Sequence, residues 1–253
     1  MFDAHKTRLE LVQWIRDWFD KNGSGCNAVI GISGGKDSSI AAALCVEALG
    51  KEKVIGVMMP NGFQTDQADA ISICKILGIR YCEAEISDIY ETFLETLGHA
   101  LTEANRDCWT TSSEQTKINL APRIRMTMLY GISQTLNGRV ICTDNASEAF
   151  IGYSTRWGDN VGDVAPLLNF TTDEVIAIGD DLGLPYELTH KTPSDGLCGK
   201  TDEDNFGFTY EQLNCYIKNG YCHGAAAQKK IEERHNKNLF KTQPIPSFYF
   251  KRD

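Results

Sequence analysis

The sequence predicts an α/β fold, a doubly wound and mostly parallel sheet with helices on both faces. Three observations lead there. Short apolar runs of buried-strand type, such as Val54-Ile55-Gly56-Val57-Met58, alternate with longer segments of helical period. The order strand–helix–strand–helix–strand implies right-handed crossovers between parallel neighbours. Polar loops fall repeatedly at strand C-termini, the edge on which such sheets hold ligands. The 253 residues, 42% apolar, suffice for a large core. No internal repeat or low-complexity linker divides them, so 1–253 reads as one domain with a helical C-terminal extension.

Each element has its own signal. Residues 5–20 place Leu9, Val12, Ile15 and Phe19 at helical spacing and stop near Asn22-Gly23. Trp14 and Trp18 on this helix read as packing or a subunit contact. The first strand ends in Val29-Ile30-Gly31-Ile32. A helix through the Ala-rich 40–49 stops at Gly50, where a left-handed residue belongs. The second strand, 53–60, runs into a polar loop at 61–66. A helix over 67–77 turns Ile71, Cys74 and Leu77 inward and closes at Gly78. The third strand is 80–86. Residues 88–104 are helical through Ile89, Phe93, Leu97 and Leu101, and 105–117 is a loop or a ragged helix. Ile124, Met128, Ile132 and Leu136 recur at i+4, giving a helix from about Asn119 to Asn137-Gly138. The fourth strand is 139–143. A Thr171-x-x-Glu174 capping box opens a helix carrying Val175, Ile176, Ile178 and Leu182. The glycine- and acid-rich 196–207 shows no packing face and is either a mobile lid or a plain loop. Helices near 209–218 and 224–237 precede a Pro-punctuated tail with Lys241.

The stretch Gly31-Ile32-Ser33-Gly34-Gly35-Lys36-Asp37-Ser38 joins the first strand to its helix. Adjacent glycines allow a ligand close to the backbone, and the helix N-terminus favours an anion such as phosphate. The Walker pattern fails, because Lys36 stands five residues after Gly31. The pattern G-x-G-x-x-G fails too, because Ser33 occupies its second glycine position. What remains is S-G-G-x-D-S, in which Asp37 faces the presumed polyphosphate site. Like charges there repel unless a divalent cation bridges them, so the loop predicts a Mg²⁺–nucleotide complex. The competing reading is an ordinary strand–turn–helix corner capped by Asp37 and Ser38. A second polar stretch, Thr143-Asp144-Asn145-Ala146-Ser147-Glu148 and then 152–163, starts on the same edge, and Glu148 is the candidate second carboxylate on the metal.

The formal net charge of −9 argues against broad nucleic-acid binding. Nine cysteines, an odd number with no C-x-x-C, lie mostly in apolar runs and read as reduced, buried thiols without a zinc site. The N-terminus shows no signal core, and no run of about 18 apolar residues suggests a membrane span. A cytoplasmic protein is expected.

Three blocks together resemble the ammonia-dependent NAD synthetases, within the wider group of ATP pyrophosphatases. The first is the 31–38 loop, which is shared with cousin enzymes. The second is Asn119-Leu120-Ala121-Pro122-Arg123-Ile124-Arg125-Met126, similar to N-x-x-[AP]-R-x-R-M. The third is 143–148 with Gly152-Tyr153-Ser154-Thr155-Arg156-Trp157-Gly158-Asp159, similar to T-x-N-x-S-E and G-[YF]-x-T-[KR]-[YFW]-G-D. The resemblance spans about residues 28 to 246 and implies an adenine nucleotide α-hydrolase-like fold.

It also implies roles. The 31–38 loop, Thr143 and Ser194 would bind ATP, and Asp37 and Glu148 would bind Mg²⁺. Thr172 falls where relatives can show an ATP-contacting Lys. Arg123, Arg156, Asp163 and Lys241 would bind deamido-NAD. Arg156 stands where Lys is common, and Phe240-Lys241-Thr242 replaces a usual His-Lys-Arg. The implied reaction adenylates the nicotinate carboxylate with ATP, releasing pyrophosphate, and then admits ammonia, releasing AMP. Lys36 is a candidate for neutralising charge and Asp159 for accepting a proton from ammonium. No stretch reads as a glutaminase, so free ammonia is the expected nitrogen source, with a separate glutaminase partner in reserve. A homodimer with substrate at its interface is expected. The alternatives are a GMP synthetase-like or tRNA-thiolase-like adenylating enzyme, and a non-catalytic nucleotide sensor. The acidic charge and missing C-x-x-C speak against a thiolase.

Overall fold

The computed structural model describes residues 2–104, 112–191 and 202–251. Helix α1 (Ala4–Asn22) opens at Asp3, whose side chain accepts from the Lys6 N–H. Strand β1 (Asn27–Gly31) leads through the glycine loop into α2 (Lys36–Leu49). Strand β2 (Val54–Met58), α3 (Gln67–Leu77) and β3 (Arg80–Glu83) complete two crossovers. Helices α4 (Ser87–Ala104) and α5 (Glu114–Thr135) precede β4 (Gly138–Ile141). Then come α6 (Ala146–Ile151), α7 (Thr172–Asp181), α8 (Tyr186–Thr189), α9 (Asp202–Phe206), α10 (Tyr210–Asn219) and α11 (Ala225–Asn238).

The sheet order is β3-β2-β1-β4 and all pairs are parallel. The register pairs Ala28 with Val54 and Asn27 with Gly138. A single parallel bridge, Ile141 to Val164, extends the β4 edge. The chain winds one way from β1 to β3, then returns to place β4 on the other side of β1. That switch point leaves a crevice beyond the C-terminal ends of β1 and β4.

Strand alternation divides the core. Ala28, Ile30, Val54 and Met58 face a layer that includes α1, α2, α3 and α7. Val29, Ile55, Val57 and Val140 face Leu129 of α5. Both faces are therefore covered, as parallel sheets require. Helix α2 is buried nearly all round, and its alanines let it lie close to β1 and β2. A separate cluster of Ile151, Phe206, Phe208, Tyr210, Leu213 and Ile231 joins α6 to the helices after α8.

Several sequence expectations shift. The inward stripe of α1 is Leu11, Val12, Ile15 and Phe19, while Leu9 is exposed. Trp14 is exposed and Trp18 packs edge-on against Phe19. Gly50 has φ 86 but ψ 146, so it is not a left-handed helical cap; it turns the chain outward instead. Helix α5 starts at Glu114 and not near Asn119, because the Ser113 hydroxyl accepts from the Thr116 N–H. Strand β3 ends at Glu83, and its residues are exposed at the sheet edge. The Thr171–Glu174 capping box forms as expected. Residues 202–207 do have a packing face: Asp202 and Phe206 are buried; the rest of the 196–207 segment lies outside the described residues. No disulfide forms among the described cysteines, most of which are buried. No helix among the described residues is long and apolar enough to cross a membrane.

Leu44 of α2 is fully buried against the sheet. Truncation to Ala leaves a cavity, so Leu44→Ala is expected to cost ~2–5 kcal/mol in urea unfolding. A loss below the error of that measurement would contradict the packing described.

Candidate functional site

The loop after β1 is closed by its own hydroxyls. The Ser33 N–H donates to Ser38 Oγ at 3.3 Å, and the Gly35 N–H donates to Ser33 Oγ at 3.2 Å. Ser38 and Ser39 both donate to the Gly35 carbonyl, at 3.2 and 2.8 Å. The Ile32 N–H donates to the Val57 carbonyl at 2.9 Å, anchoring the loop to the end of β2. Gly34 has φ 82, and a Cβ there would stand 2.3 Å from the Asp66 carbonyl oxygen. No other residue fits this close crossing. Lys191 fastens the crossing from outside. Its ammonium lies 2.7 Å from Asp66 Oδ1, 2.6 Å from Asp69 Oδ2 and 3.5 Å from the Gly34 carbonyl.

Asp37 sits in the first turn of α2, facing α6. The fully buried Asn145 links the two helices: it donates to Asp37 Oδ1 at 3.1 Å and accepts from the Glu148 N–H at 3.0 Å. One amide therefore caps α6 and sets the position of Asp37 relative to Glu148. Burial holds the Glu148 carboxyl well above its usual range, and the charge of Asp37 adds to that. The two predicted metal carboxylates are thus brought to one place.

Lys36 is buried, and its ammonium lies 2.8 Å from Asp37 Oδ2. Burial favours loss of its proton, but Asp37, Glu148 and Asp202 outweigh that and raise its affinity for it. Asp202 accepts from the Tyr153 and Tyr210 hydroxyls, each at 3.1 Å. The Tyr210 ring centroid is 6.0 Å from the Lys36 ammonium.

A second acidic pair lies beside β4. Asp144 is buried, and its pKa is pushed up to about 8, by burial first and then by the charges of Asp159 and Asp37. Asp159 accepts from the Thr155 N–H. Burial raises its pKa as well, against the pull of that N–H and of Lys241. The half-buried Arg125 guanidinium, fixed by a 2.9 Å bond to the Met59 carbonyl, also feels the charge of Asp159.

The cations expected to hold the second substrate gather around 156. Arg123 donates through Nε and Nη2 to the Arg156 carbonyl, both at 3.4 Å. The Arg156 guanidinium lies 4.9 Å from the Trp157 ring centroid and 5.5 Å from that of Phe240. Its Nε is buried without a partner. Trp157 adopts φ 63, an uncommon left-handed conformation for an aromatic residue. Lys241 donates to the Gly152 and Ser154 carbonyls at 2.8 and 3.0 Å.

Other expected residues stand apart from this arrangement. Asp163 is exposed and accepts from the Val140 N–H at 2.8 Å where the 163–164 segment pairs with the edge of β4. Thr172 is buried at the start of α7; its N–H donates to Ser147 Oγ at 3.0 Å, and its own hydroxyl has no partner. Thr143 is half-buried just past the C-terminal end of β4, on the expected edge. Ser194 lies outside the described residues.

Sequence reasoning missed Asn145, Lys191, Asp144, Asp202 and Tyr210. The spacing Asn145-x-x-Glu148 before a helix was a legible capping signal. The others need the fold. Among the described residues no group of three or more His, Cys, Asp or Glu side chains is disposed to hold a metal ion. Two carboxylates beside a phosphate loop still fit Mg²⁺, which takes one or two protein carboxylates and completes its shell with phosphate oxygens and water.

The model of the NAD synthase family matches residues 8–252. The NH3-dependent NAD+ synthetase of Finegoldia magna is 35% identical over 248 residues, covering 96% of this chain and 95% of that relative. A solved structure described as the NMN synthetase of Francisella tularensis matches with a TM-score of 0.86 at 32% identity, over 99% of this chain and 100% of that one. The NH3-dependent NAD synthetase of Campylobacter jejuni matches with a TM-score of 0.77 at 26% identity, over 99% and 100%.

A buried carboxyl with a raised pKa makes a signed prediction about stability. A pKa of about 8 for Asp144 lies above the ordinary 3.8. Its contribution to stability is complete below the unfolded value and is lost as pH rises toward 8. Asp144→Asn removes this dependence. The melting temperature of the metal-free variant should exceed that of the parent by several degrees at pH 8.5 and by much less at pH 4. An equal difference at both pH values would falsify the burial argument.

Proposed function

The chain belongs to the NAD synthase family, and from that premise we propose that it is a ligase converting the carboxylate of deamido-NAD to the amide of NAD. ATP is the co-substrate, ammonia the nitrogen donor, and AMP and pyrophosphate leave. The observation that carries the site assignment is the Asn145 bridge, which brings Asp37 and Glu148 together beside the 31–38 loop.

In the first half-reaction a nicotinate carboxylate oxygen attacks the α-phosphorus in line. The bond from that phosphorus to the pyrophosphate oxygen breaks, leaving a mixed anhydride. The chain's task here is to position the two anions and offset their charge. The 31–38 loop would hold the phosphates, with Thr143 at the end of β4 beside it. Asp37 and Glu148 would hold Mg²⁺, which when bound screens the triphosphate. Arg123, Arg156 and Lys241 form the cationic wall for the second nucleotide. Asp163 and Thr172 make weaker claims, the first bonded to the sheet edge and the second to Ser147. Ser194 keeps only the sequence argument.

In the second half-reaction the ammonia lone pair attacks the carbonyl carbon, the bond to the AMP oxygen breaks, and the nitrogen gives up one proton to the departing phosphate or to solvent. Ammonium dominates at neutral pH, so a group must take one proton before attack. Asp159 is the candidate. Its carboxyl, reachable from solvent, has a raised proton affinity and is aimed by the Thr155 N–H. Free ammonia is the simplest donor, with a separate glutaminase as the reserve source. We also read 1–253 as one domain working in the cytoplasm.

The Francisella structure favours a second reading, in which the acceptor is the nicotinate mononucleotide. The chemistry at the carboxylate is the same, and only the reach of the cationic wall differs. Assays of pyrophosphate release with ATP, Mg²⁺ and ammonium, run on both acceptors, separate the two. The dinucleotide should be at least about tenfold better in kcat/KM; a preference for the mononucleotide would transfer the assignment. In the same assay Asp159→Asn should still form adenylate but lose about 100-fold or more in amide formation. Unchanged amidation would remove Asp159 from the mechanism.

The expected homodimer has a candidate face. A groove of about 1110 Å³ between α4 and α5 is lined by Ile89, Phe93, Leu97, Ile124 and Met128, and Arg123 reaches its wall. Ile89 and Phe93 are exposed. An apolar groove continuous with a substrate cation suits a partner subunit that completes the substrate site. Phe93→Glu should sediment as a monomer and show a raised KM for the nicotinate substrate. A dimeric variant would rule this face out.

A further inference from the structure

Lys36 holds a position that the proposed chemistry reserves for another ion. It is the first residue of α2, directly after the double glycine. It stands beside the phosphate loop, and its side chain is only 4% exposed. Its ammonium lies 2.8 Å from Asp37 Oδ2, while the other Asp37 oxygen takes the Asn145 amide at 3.1 Å. Both oxygens of the presumed metal ligand are thus engaged within the protein. The same ammonium is drawn by Glu148 and Asp202 and sits against the ring of Tyr210.

The electrostatic reason is direct. Asp37, Glu148 and Asp202 converge in a largely buried site, where like charges repel strongly. A single tethered cation among them removes most of that repulsion. A divalent ion arriving alone would have to take the Asp37 oxygen from the ammonium, leaving it only the attraction of Glu148 and Asp202. A divalent ion arriving with a triphosphate would bring a replacement partner, because phosphates held by the 31–38 loop would stand at the N-terminus of α2, where Lys36 begins the helix.

We propose that Lys36 is a tethered cation standing in the divalent-metal position of the nucleotide-free site, so that the chain takes up its metal only together with ATP. The inference rests on the reading of Asp37 and Glu148 as metal ligands. On nucleotide binding Lys36 would exchange Asp37 for the triphosphate, freeing that carboxylate oxygen for the metal. The tethered ammonium would then offset part of the negative charge that the metal–nucleotide complex brings in. This also assigns Lys36 its role in adenylation, as a cation delivered to the phosphates by the arrival of the metal.

The test uses the full chain and Mn²⁺ as probe, followed by electron paramagnetic resonance and by calorimetry, with and without a non-hydrolysable α,β-methylene ATP. The parent should bind Mn²⁺ weakly alone and at least tenfold more tightly with the nucleotide analogue. Lys36→Gln and Lys36→Met should bind Mn²⁺ alone at least tenfold more tightly than the parent, and adding Asp37→Asn should abolish that gain. Mn²⁺ should also raise the melting temperature of both Lys36 variants more than that of the parent, which reads out the effect even if one variant folds poorly. Equal Mn²⁺ affinity in parent and variants, with both sensitive to Asp37→Asn, overturns the proposal and leaves the metal ligands standing. Mn²⁺ binding with the nucleotide analogue that ignores Asp37→Asn overturns the metal ligands and the proposal together.

Discussion

The controlling constraint in this molecule is the gathering of like charge where β1 and β4 end. Asp37, Asp144, Glu148, Asp159 and Asp202 all feel one another there, directly or through a neighbour. Left to themselves they would separate or take up protons. The fold prevents separation by mounting them on helices packed into two apolar clusters. Asp37 rides on α2 in the main core, while Glu148 on α6 and Asp202 on α9 share the cluster of Ile151, Phe206 and Leu213. Polar links then fine-tune the spacing, and Asn145 is the shortest route between two of them.

The topology makes this arrangement economical. The return of the chain to lay β4 beside β1 sets two loops side by side from distant parts of the sequence. A third loop, after β2, is drawn in by the crossing of Gly34 over Asp66 and locked by Lys191. The cationic group around Arg156 lies on the same side, tied to α5 through Arg123 and to the tail through Lys241 and Gln243. Acidic and cationic groups from distant parts of the chain are thus held close together, with Lys36 beside Asp37 and Lys241 near Asp159.

Much of this was legible in the residues, for physical reasons that can be named. Helices with a buried face and a cap, such as α3 with Gly78 and α7 with Thr171, announce themselves through local rules. That Asp37 and Glu148 would lie near one another was legible, because each follows a strand end on the ligand edge of the sheet. Asp202 was not legible. An acidic residue among acids and glycines reads as solvated until Tyr153 and Tyr210 are known to stand over it. Lys191 is bonded to residues over 120 positions away, and no local pattern carries that. The start of α5 was misjudged because apolar periodicity begins later than the helix, whose first turns are polar and set by Ser113. The exposure of β3 goes with its place at one end of the sheet, where no segment pairs beyond it among the described residues; β4, at the other end, is covered by the 163–164 segment.

That outermost strand has a consequence for assembly. One side of β3 presents backbone groups that no neighbouring strand satisfies, the kind of border on which foreign chains can stack. Here the border is short and carries Arg80 at one end and Glu83 at the other, with Arg80 also reaching back to the Glu52 carbonyl. Edge-to-edge growth of the sheet from one molecule to the next is discouraged by that brevity and charge. Helical surfaces remain, where side chains and not the backbone would decide any fit, and where a finite pair would not seed a filament.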